Sequence, residues 1–392
     1  MTALAAFTAA GWAVACWMLV RGLRRIPRLS TAEPAPESVA IIVAARDEER
    51  DVERAVRSLL AQEHPGLEVV VVDDRSGDAT GAILDRMARD HGALRVLHVA
   101  SLPAGWLGKN HALHEGAATV AADWLVFADA DVIMRPDAVA SAVAHARGRG
   151  LDHLAVFPRM IARGALLNAT VGVFTVLFAL RFRPWAAADP ESRAHIGVGA
   201  FNLVRRTAYE AMGGHRSIAL RPDDDLRLGR ALKEAGGRSA AAFGDRLLAV
   251  EWYRSVPDLV RGLRKNAFAA VEYRPWLVAV VVALLLAFHV GPFAALLLTE
   301  GVARLLFGAA AGLAMLSLDR SAGRFGVTRT SALLYPAGAL VVAYAIGAAT
   351  VRALWTGGVE WRGTIYPLAA LREETGSALA ERDAAPGRAT PG

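Results

Sequence analysis

Apolar residues are distributed unevenly along the chain, with strongly apolar segments on either side of a mixed middle part. Residues 3–20 carry no charge, and this run approaches the roughly 20 residues that a membrane-spanning helix needs. Three further apolar runs follow the middle part, at 276–298, 302–318 and 331–353. This distribution predicts one membrane helix before a globular domain and about three membrane helices after it.

The same pattern sets approximate domain boundaries. We expect an N-terminal anchor at 1–28, a globular domain at 36–272, C-terminal membrane helices at 273–356, and a tail at 357–392 whose end is disordered. A fifth apolar run, at 164–182, lies inside the globular domain. Its position there favours a buried or membrane-surface helix over a membrane span.

Positive charge after the first apolar run indicates how the predicted membrane helices are oriented. A secretory signal peptide carries its positive charge before the apolar run, whereas here arginines follow it. Because arginine-rich loops stay on the cytoplasmic side, the globular domain is expected in the cytoplasm. The loop at 319–329, with three arginines and one aspartate, is expected inside as well. The tail then lies outside if 302–318 crosses the membrane, and inside if that run is only interfacial. The arginines after the first run are Arg21, Arg24, Arg25 and Arg28.

Within the middle part, short apolar runs alternate with segments of helical periodicity. The runs at 39–45 and 68–72 are almost entirely aliphatic and are typical of buried strands. Alternation of strands and helices predicts an α/β fold with a mostly parallel sheet and helices on both faces. Such sheets bind ligands beyond the carboxyl ends of their strands. Further strands are predicted at 95–99 and 124–128, and helices at 49–61, 78–89, 109–121 and 226–235.

Composition narrows the classes of function. Hydrophobic residues make up 54% of the chain and the formal net charge is +6, which suits contact with anionic lipid or phosphate groups. No basic tract is interleaved with aromatic residues, so nucleic acid is not an expected partner. The single cysteine, Cys16, lies in the first apolar run, which excludes an intrachain disulfide and a cysteine metal site.

An aspartate pair follows the fourth predicted strand. Asp129 and Asp131 are two residues apart, so in extended backbone their carboxylates face the same side. A divalent cation, Mg²⁺ or Mn²⁺, would offset their repulsion, since Mg²⁺ takes one or two carboxylates and completes its shell with substrate phosphates. The alternative is an Asp-rich turn or helix cap, and the pair alone does not decide between the two.

Polar residues also follow the second strand and precede the helix at 109–121. Asp73 and Asp74 end the second strand, where they either form an Asx turn or bind a nucleoside. Lys109 lies in the sequence GWLGKN before the helix, where free N–H groups and a point charge attract phosphate. This segment lacks the spacing of a P-loop and is weak evidence by itself.

Three consecutive aspartates, 223–225, begin another predicted helix. Acidic residues stabilise a helix N-terminus, but three exceed what capping needs. Like charges raise one another's pKa, which suits a general base. Arg261, Arg264 and Lys265 precede the second predicted span. They are either a positive-inside anchor or a group that stabilises a leaving diphosphate.

Taken in this order, the motifs resemble those of the family 2 glycosyltransferases with the A-type fold, a Rossmann-like, mostly parallel sheet. The resemblance covers roughly residues 38–272. It implies a metal-dependent, inverting transfer of a sugar from a nucleotide-sugar donor, with a UDP-sugar favoured. It rests on VAARDE at 43–48, VDDRS at 72–76, FADAD at 127–131 and DDLRL at 224–228.

The resemblance also implies a role for each motif. The second member of the acidic pair, Asp225, is the general base, and Asp224 stands beside it. Asp131 holds the metal, with Asp129 nearby. The remaining implied assignments are Glu48, Asp73 and Asp74 for the nucleoside, Lys109 and Asp129 for the phosphates, and Arg261 and Arg264 for the developing charge.

Within this family, the terminal spans and the GWLGKN sequence resemble the membrane enzymes that glycosylate lipids, among them ceramide, hopanoid-associated and carotenoid glycosyltransferases. This implies a lipid or isoprenoid-type acceptor that enters from the inner leaflet beside residues 164–185. Three aromatic residues near the C-terminus are either membrane-interface anchors or acceptor contacts. They are Trp355, Trp361 and Tyr366.

One departure from the related enzymes bears on the product. Polymer synthases and ceramide-type enzymes often end in a Gln/Arg-x-x-Arg-Trp motif, and here Lys265 follows Arg261-x-x-Arg264. The absence of the tryptophan argues against a processive polysaccharide synthase, which is one alternative. The other alternative, a catalytically silent membrane scaffold, is opposed by the intact acidic motifs.

Overall fold

The computed structural model describes residues 1–263, 268–361 and 364–373. Arg264, Lys265 and the end of the tail lie outside the described residues. In chain order the strands are β1 (Val39–Ala45), β2 (Leu67–Asp74), β3 (Leu94–Val99), β4 (Trp124–Asp129), β5 (Ile133–Met134), β6 (His153–Phe157), β7 (Arg159–Met160), β8 (Asn202–Arg205), β9 (Ser239–Phe243), β10 (Leu248–Val250), β11 (Gly358–Trp361) and β12 (Thr364–Pro367).

The helices agree closely with the apolar periodicity of the sequence. Each predicted strand and helix of the globular part lies within three residues of an observed one at both ends. The helices are α1 (Thr2–Arg25), α2 (Val52–Leu60), α3 (Thr80–Asp90), α4 (Gly108–Ala118), α5 (Ala138–Gly148), α6 (Ala165–Phe182), α7 (Arg206–Ala211), α8 (Asp224–Glu234), α9 (Val256–Gly262), α10 (Pro275–Leu285), α11 (Gly291–Leu298), α12 (Gly301–Phe325) and α13 (Tyr335–Thr356).

Seven strands form the central sheet in the order β3-β2-β1-β4-β8-β6-β9. β1 pairs in parallel with β2 and β4, and β2 with β3 and β6 with β9 are parallel as well. β8 alone is antiparallel to both of its neighbours. The predicted α/β fold with a mostly parallel sheet is therefore confirmed. A smaller sheet joins β5, β10 and β7.

Side chains of the central strands fill a hydrophobic core on each face of the sheet. Ile41 and Val43 pack in one core with residues of α2, α3 and α5. Ile42 packs in the other core with residues of α4 and α8. Because successive strand residues point to opposite faces, the uniformly aliphatic sequence of β1 reflects burial on both sides, as expected for a parallel sheet covered by helices.

Five helical segments are long and apolar enough to cross a membrane. The N-terminal segment and three C-terminal segments correspond to the predicted spans. The fifth contains α6, which packs against α12 and α13, and whose length and composition suit a span as well as the buried helix that we expected. The segments are Thr2–Arg25, Ala165–Ala186, Pro275–Leu298, Gly301–Phe325 and Arg329–Thr356.

The predicted loop at 319–329 is wrong in its first half. α12 continues through Asp319 and Arg324 and ends at Phe325. No proline or glycine pair interrupts this stretch, and charged side chains are compatible with the last turns of a helix. The helix ends where Gly326 adopts φ 79°, the left-handed conformation that terminates many helices.

The second predicted span contains an irregular turn near its polar residue. A π-helical turn, Leu286–Val290, connects α10 to α11. His289 Nδ1 lies 2.7 Å from the Tyr335 hydroxyl, and Trp12 Nε1 donates to the Phe288 carbonyl at 2.8 Å. Neighbouring helices therefore satisfy polar groups of the turn, as an irregular membrane helix requires.

Candidate active site

The carboxyl ends of neighbouring strands meet at one edge of the sheet and carry predicted acidic residues. Asp73 of β2 and Asp129 of β4 are held in register on either side of β1. Because β8 runs in the opposite direction, its first residue, Asn202, pairs with Phe127 near the end of β4. The segment that leads into β8 therefore enters the site beside Asp129.

Lys109, at the start of α4, connects the acidic groups of β4 and α8. Its Nζ lies 2.8 Å from Asp129 Oδ1 and 2.9 Å from Asp224 Oδ2. Burial opposes the charged form, but the carboxylates of Asp129, Asp224 and Asp225 hold the pKa of Lys109 well above its ordinary value. Two motifs that are far apart in the sequence therefore share one ammonium group, which stays charged at neutral pH.

Backbone N–H groups orient Asp225 through both of its oxygens. Gly199 N donates to Oδ2 at 2.9 Å, and Leu226 N donates to Oδ1 at 2.8 Å. Burial, followed by the charge of Asp224, raises the pKa of Asp225 to about 7, although Lys109 opposes the shift. A fixed carboxylate with a pKa near neutrality is suited to accept a proton at physiological pH.

Asp223, the first aspartate of the 223–225 run, is paired with arginines and not with Lys109 among the described ion pairs. Asp223 pairs with Arg227 Nε at 2.8 Å and with Arg221 Nε at 3.3 Å. Two guanidinium groups therefore compensate its charge. The acidic neighbour that raises the pKa of Asp225 within the run is Asp224.

Glycines allow the 195–199 segment to approach α8 and β4 closely. A Cβ on Gly197 would overlap the Asp225 carbonyl oxygen, and one on Gly229 would overlap the Ile196 carbonyl oxygen. A Cβ on Gly199 would lie 2.7 Å from Asp129 Oδ2. These contacts fix the position of the Gly199 N–H that orients Asp225. Sequence analysis did not identify this contact.

Asp129 and Asp131 form the candidate metal-binding pair. Burial raises the pKa of Asp131 to about 7, and the charges of Asp129 and Glu48 add to the shift. A divalent cation would relieve this repulsion. Within the described residues, no group of three or more Asp, Glu, His or Cys side chains is placed to hold a metal. Two carboxylates are the number that Mg²⁺ commonly takes from a protein, with phosphate oxygens and water completing its shell, and Mn²⁺ prefers the same oxygen ligands.

The two predicted nucleoside-binding aspartates already have protein partners. Buried Asp74 receives two hydrogen bonds from Arg75, at 2.8 and 3.1 Å. Arg75 has a φ of 58°, which is uncommon for a residue with a side chain. Asp73 accepts a hydrogen bond from Ser76 N at 3.2 Å and faces His98 Nδ1 at 3.0 Å. Asp73 therefore stabilises the turn after β2, as the alternative interpretation expected, while Asp74 orients Arg75.

Glu48 lies in a loop that interlocks with the loop after β2. Its backbone N–H donates to Thr80 Oγ1 at 2.8 Å. Asp47 N donates to Ser76 Oγ at 3.1 Å, and Asp47 Oδ1 accepts from Gly77 N at 2.8 Å. The loops after β1 and β2 therefore form one rim of the site.

The GWLGKN sequence begins α4 directly against this rim. A Cβ on Gly108 would overlap Asp74 Oδ2 and would lie 2.8 Å from Arg75 Nη2. Asn110 Nδ2 donates to the carbonyls of Ile218 and Arg221, at 2.7 and 3.0 Å. Asn110 was not singled out from the sequence, yet it ties α4 to the segment that carries the acidic residues of α8.

Of the two arginines predicted to stabilise the leaving group, the described one, Arg261, lies at the surface. The Arg261 side chain is 62% exposed and pairs with Asp258 on its own helix at 3.3 Å. Among the described ion pairs, none joins Arg261 to a carboxylate of the site. Arg264 lies outside the described residues, so its role stays a prediction.

Tyr366 was predicted as an acceptor contact or interface anchor, and this stays a prediction. Its phenol lies near the Arg75 guanidinium at the end of β2, where it adds to the effect of Asp74 in raising the pKa of Arg75. The β11–β12 hairpin therefore contacts the predicted nucleoside end of the site. Trp355, by contrast, is 88% exposed, which agrees with an interface position. The side chain of Trp361 is not among those described.

A small cavity lies between the acidic residues of α8 and β4, and Lys109, Gly199, Asp224 and Asp225 contribute to its lining. His215 also lines it and faces the Tyr209 hydroxyl at 2.8 Å. Burial, with a smaller contribution from Lys109, lowers the pKa of His215 to about 3. His215 is therefore neutral at physiological pH, and Asp225 is the better placed proton acceptor.

Comparison with known proteins identifies the class to which this fold and site belong. A family model described as "Glycosyltransferase like family 2" matches residues 35–273, more than half of the chain. The chain therefore belongs to the family 2 glycosyltransferases, and the expected family is confirmed.

Individual similar proteins agree with this assignment. The 4,4′-diaponeurosporenoate glycosyltransferase of Staphylococcus aureus is 28% identical over 261 residues, which cover 66% of this chain and 65% of that protein. The match thus spans slightly less than two thirds of the relative's length. The solved structure of the mannosyltransferase PcManGT from Pyrobaculum calidifontis, in complex with GDP-Man and Mn²⁺, covers 91% of this chain and 99% of its own, with 20% identity and a TM-score of 0.54. This similarity supports the A-type fold.

Proposed function

We propose that this glycosyltransferase transfers a sugar from a nucleotide-sugar donor, with a UDP-sugar favoured, to a membrane lipid or isoprenoid-type acceptor at the cytoplasmic face. The main supporting observation is the convergence of Asp129 and Asp224 on Lys109, at 2.8 and 2.9 Å. It joins the candidate metal pair after β4 to the candidate base of α8 in a single site.

Similar proteins support the donor and acceptor classes. The mannosyltransferase was solved with GDP-Man and Mn²⁺, a nucleotide sugar and a divalent cation. The relative from Staphylococcus aureus is named for 4,4′-diaponeurosporenoate, a carotenoid-type compound. The helices of membrane-spanning length agree with an acceptor that resides in the lipid bilayer.

The donor is bound along the sheet edge in this proposal. Asp131 and Asp129 would hold Mg²⁺ or Mn²⁺, and the ion would activate the diphosphate as a leaving group. Lys109 places a positive charge beside the same phosphates. The proposed nucleoside contacts are Glu48, Asp73 and Asp74, and the proposed contacts to the departing diphosphate are Arg261 and Arg264.

Asp225 carries the proton transfer. Its carboxylate accepts the proton of an acceptor hydroxyl while that oxygen attacks the anomeric carbon and the bond to the diphosphate oxygen breaks. A single displacement of this kind inverts the anomeric configuration. The hydrogen bonds from Gly199 N and Leu226 N fix the direction of the carboxylate during the attack.

The test is the Asp225→Asn variant of the full chain in detergent or lipid nanodiscs. The donors are UDP- and GDP-sugars with Mg²⁺ or Mn²⁺, and a membrane lipid extract supplies the acceptor. Loss of the base should reduce turnover by about 10²–10⁴-fold and leave the Kd for the donor within about twofold. Asp223→Asn is the matched control, because Asp223 is compensated by Arg221 and Arg227, and its turnover should stay near that of the wild type.

Two results would contradict the proposal. Near-normal turnover of Asp225→Asn would remove the base assignment. A long saccharide product from a labelled donor would indicate the processive synthase instead of single transfer to a lipid.

A further inference from the structure

A row of aromatic rings follows one face of α6. Phe174, Phe178 and Phe182 are four residues apart, so they lie on the same side of the helix. The ring centroids of Phe174 and Phe178 are 6.1 Å apart, and those of Phe178 and Phe182 are 4.9 Å apart. At 1.5 Å per residue, the row extends about 12 Å along the helix axis. None of the three side chains is fully buried.

The row leads to the candidate metal pair at one end. The ring centroids of Phe174 and Trp252 are 4.7 Å apart, and those of Trp252 and Tyr253 are 4.6 Å apart. Burial raises the pKa of Tyr253, and the charge of Asp258 adds to this shift before the smaller effects of Asp131 and Asp129. Both aromatic residues follow β10, which delivers them to the same end of the domain.

At its other end the row reaches the segment that orients the candidate base. The Phe182 ring lies 6.4 Å from the ring of His195, the first residue of the 195–199 segment. Val198 of this segment precedes Gly199, and Leu226 follows Asp225. Val198 and Leu226 are partly buried and pack against the same hydrophobic cluster as Phe174, Phe178 and Trp252.

These contacts place a row of partly exposed rings on α6 beside the segment whose Gly199 N–H orients Asp225. Apolar surface that stays accessible beside a candidate catalytic carboxylate is a ligand site more often than a packing defect. α6 is also among the segments of membrane-spanning length. A ligand of this surface is therefore apolar, elongated and available from the bilayer.

We propose that the row of Phe174, Phe178 and Phe182, with Trp252 and Tyr253, binds the apolar chain of the acceptor, and that this chain is an isoprenoid polyene whose polar end reaches Asp225. The inference rests on the proposed transfer to a lipid or isoprenoid-type acceptor. Aromatic rings offer flat faces to a conjugated chain. A rigid polyene loses less conformational entropy on binding than a saturated acyl chain of similar length.

The test uses all-trans-retinol, a short polyene alcohol, as the probe for the full chain in detergent micelles. Binding is followed by quenching of tryptophan fluorescence, and thermal unfolding of each variant checks its folding. Phe178→Ala should raise the Kd of the probe about tenfold, as expected when a half-buried ring is removed. Phe178→Leu keeps most of the volume and should weaken binding in the same direction. Trp252→Phe should still bind the probe, but it should show the largest loss of fluorescence quenching among the variants.

Tyr344→Ala is the matched control, because Tyr344 lies on α13 with 66% of its surface exposed. Its Kd for the probe should equal that of the wild type, and the Kd for UDP should be unchanged in every variant. The proposal is overturned if both Phe178 variants bind the probe like the wild type, or if Tyr344→Ala weakens binding equally. Displacement of the probe by palmitate at equal concentration would also overturn it, since the surface would then accept any acyl chain.

Failure of the proposed function is a separate result. It would leave no transfer product with any donor, while retinol still bound the wild type more tightly than the Phe178 variants. Failure of the present inference would instead leave transfer intact and binding insensitive to Phe178.

Discussion

Replacing Lys109 with methionine tests the central ionic contact of the site. Lys109 is 17% exposed and Asp224 is 8% exposed, whereas Asp129 is 40% exposed. The pair with Asp224 is therefore the buried one, and the pair with Asp129 is weakened by solvent. The variant leaves Asp224 and Asp225 side by side without the ammonium group.

The cost can be estimated from the distances. At an effective dielectric constant of about 20, charges at the observed 2.9 Å attract by roughly 6 kcal/mol before desolvation is counted. Removing one partner of a buried ion pair costs about 3–5 kcal/mol. We expect the lower end of this range because one of the two carboxylates is exposed. For a domain of this size, that corresponds to a fall in Tm of about 6–12 °C.

The same variant should bind metal more tightly, although it is less stable. Lys109 competes with a cation for Asp129, so Lys109→Met should bind Mn²⁺ at least about tenfold more tightly without donor, a change of about 1.4 kcal/mol. Turnover should nevertheless fall, since the charge beside the proposed diphosphate position is lost. The assays are thermal unfolding with and without Mn²⁺, Mn²⁺ titration by calorimetry and transfer from a labelled donor.

Lys233→Met is the control for the loss of a lysine. Lys233 Nζ donates to the carbonyls of Ala187, Asp189 and Ala194 and forms no contact with the site acids among the described residues. This control should lower Tm without changing the affinity for Mn²⁺. A Tm of Lys109→Met within about 2 °C of the wild type, or weaker Mn²⁺ binding, would refute the reasoning.

Three further predictions concern the same site. The pKa of Asp225 is raised to about 7. If Asp225 is the base, as proposed, it acts when deprotonated, so kcat/KM should fall about tenfold per pH unit below pH 7. A flat profile down to pH 5 would contradict this. A Cβ on Gly199 would lie 2.7 Å from Asp129 Oδ2, so Gly199→Ala should lower turnover at least about tenfold. Gly312→Ala should not, because beyond its chain neighbours and the backbone of its own helix no described atom lies within 4 Å of the added carbon. Tyr366→Phe removes the phenol hydroxyl that acts on Arg75 and should raise the donor KM about threefold to tenfold with kcat unchanged. Tyr344→Phe, at a side chain that is 66% exposed, should leave both constants unchanged.

The positions of the strands could be read from the sequence because they depend on local patterns. β1 and β2 are uninterrupted aliphatic runs, and each is followed by charged residues where the chain leaves the core. Because parallel strands end at the same edge of a sheet, the sequence alone predicts that Asp73 and Asp129 lie at one edge. The same local reasoning placed Asp225 in the first turn of a helix.

The partners of these residues could not be read in the same way. Whether Lys109 meets Asp224 depends on how α4 packs against the loop before α8, which Asn110 controls through carbonyls more than 100 residues away. The compensation of Asp223 by Arg221 and Arg227 depends on side-chain direction. Sequence spacing allowed all three aspartates to act together, and only packing separates Asp223 from the other two.

The position of Gly199 explains why each acidic motif is weak evidence when read alone. Its N–H holds Asp225, and a Cβ there would press against Asp129, so one residue determines the position of both acidic groups. Such close approach is possible only because β8 is antiparallel and its leading segment crosses the carboxyl end of β4. The reversal of strand direction in an otherwise parallel sheet therefore brings the second acidic pair beside the first, and the proposed chemistry depends on that arrangement.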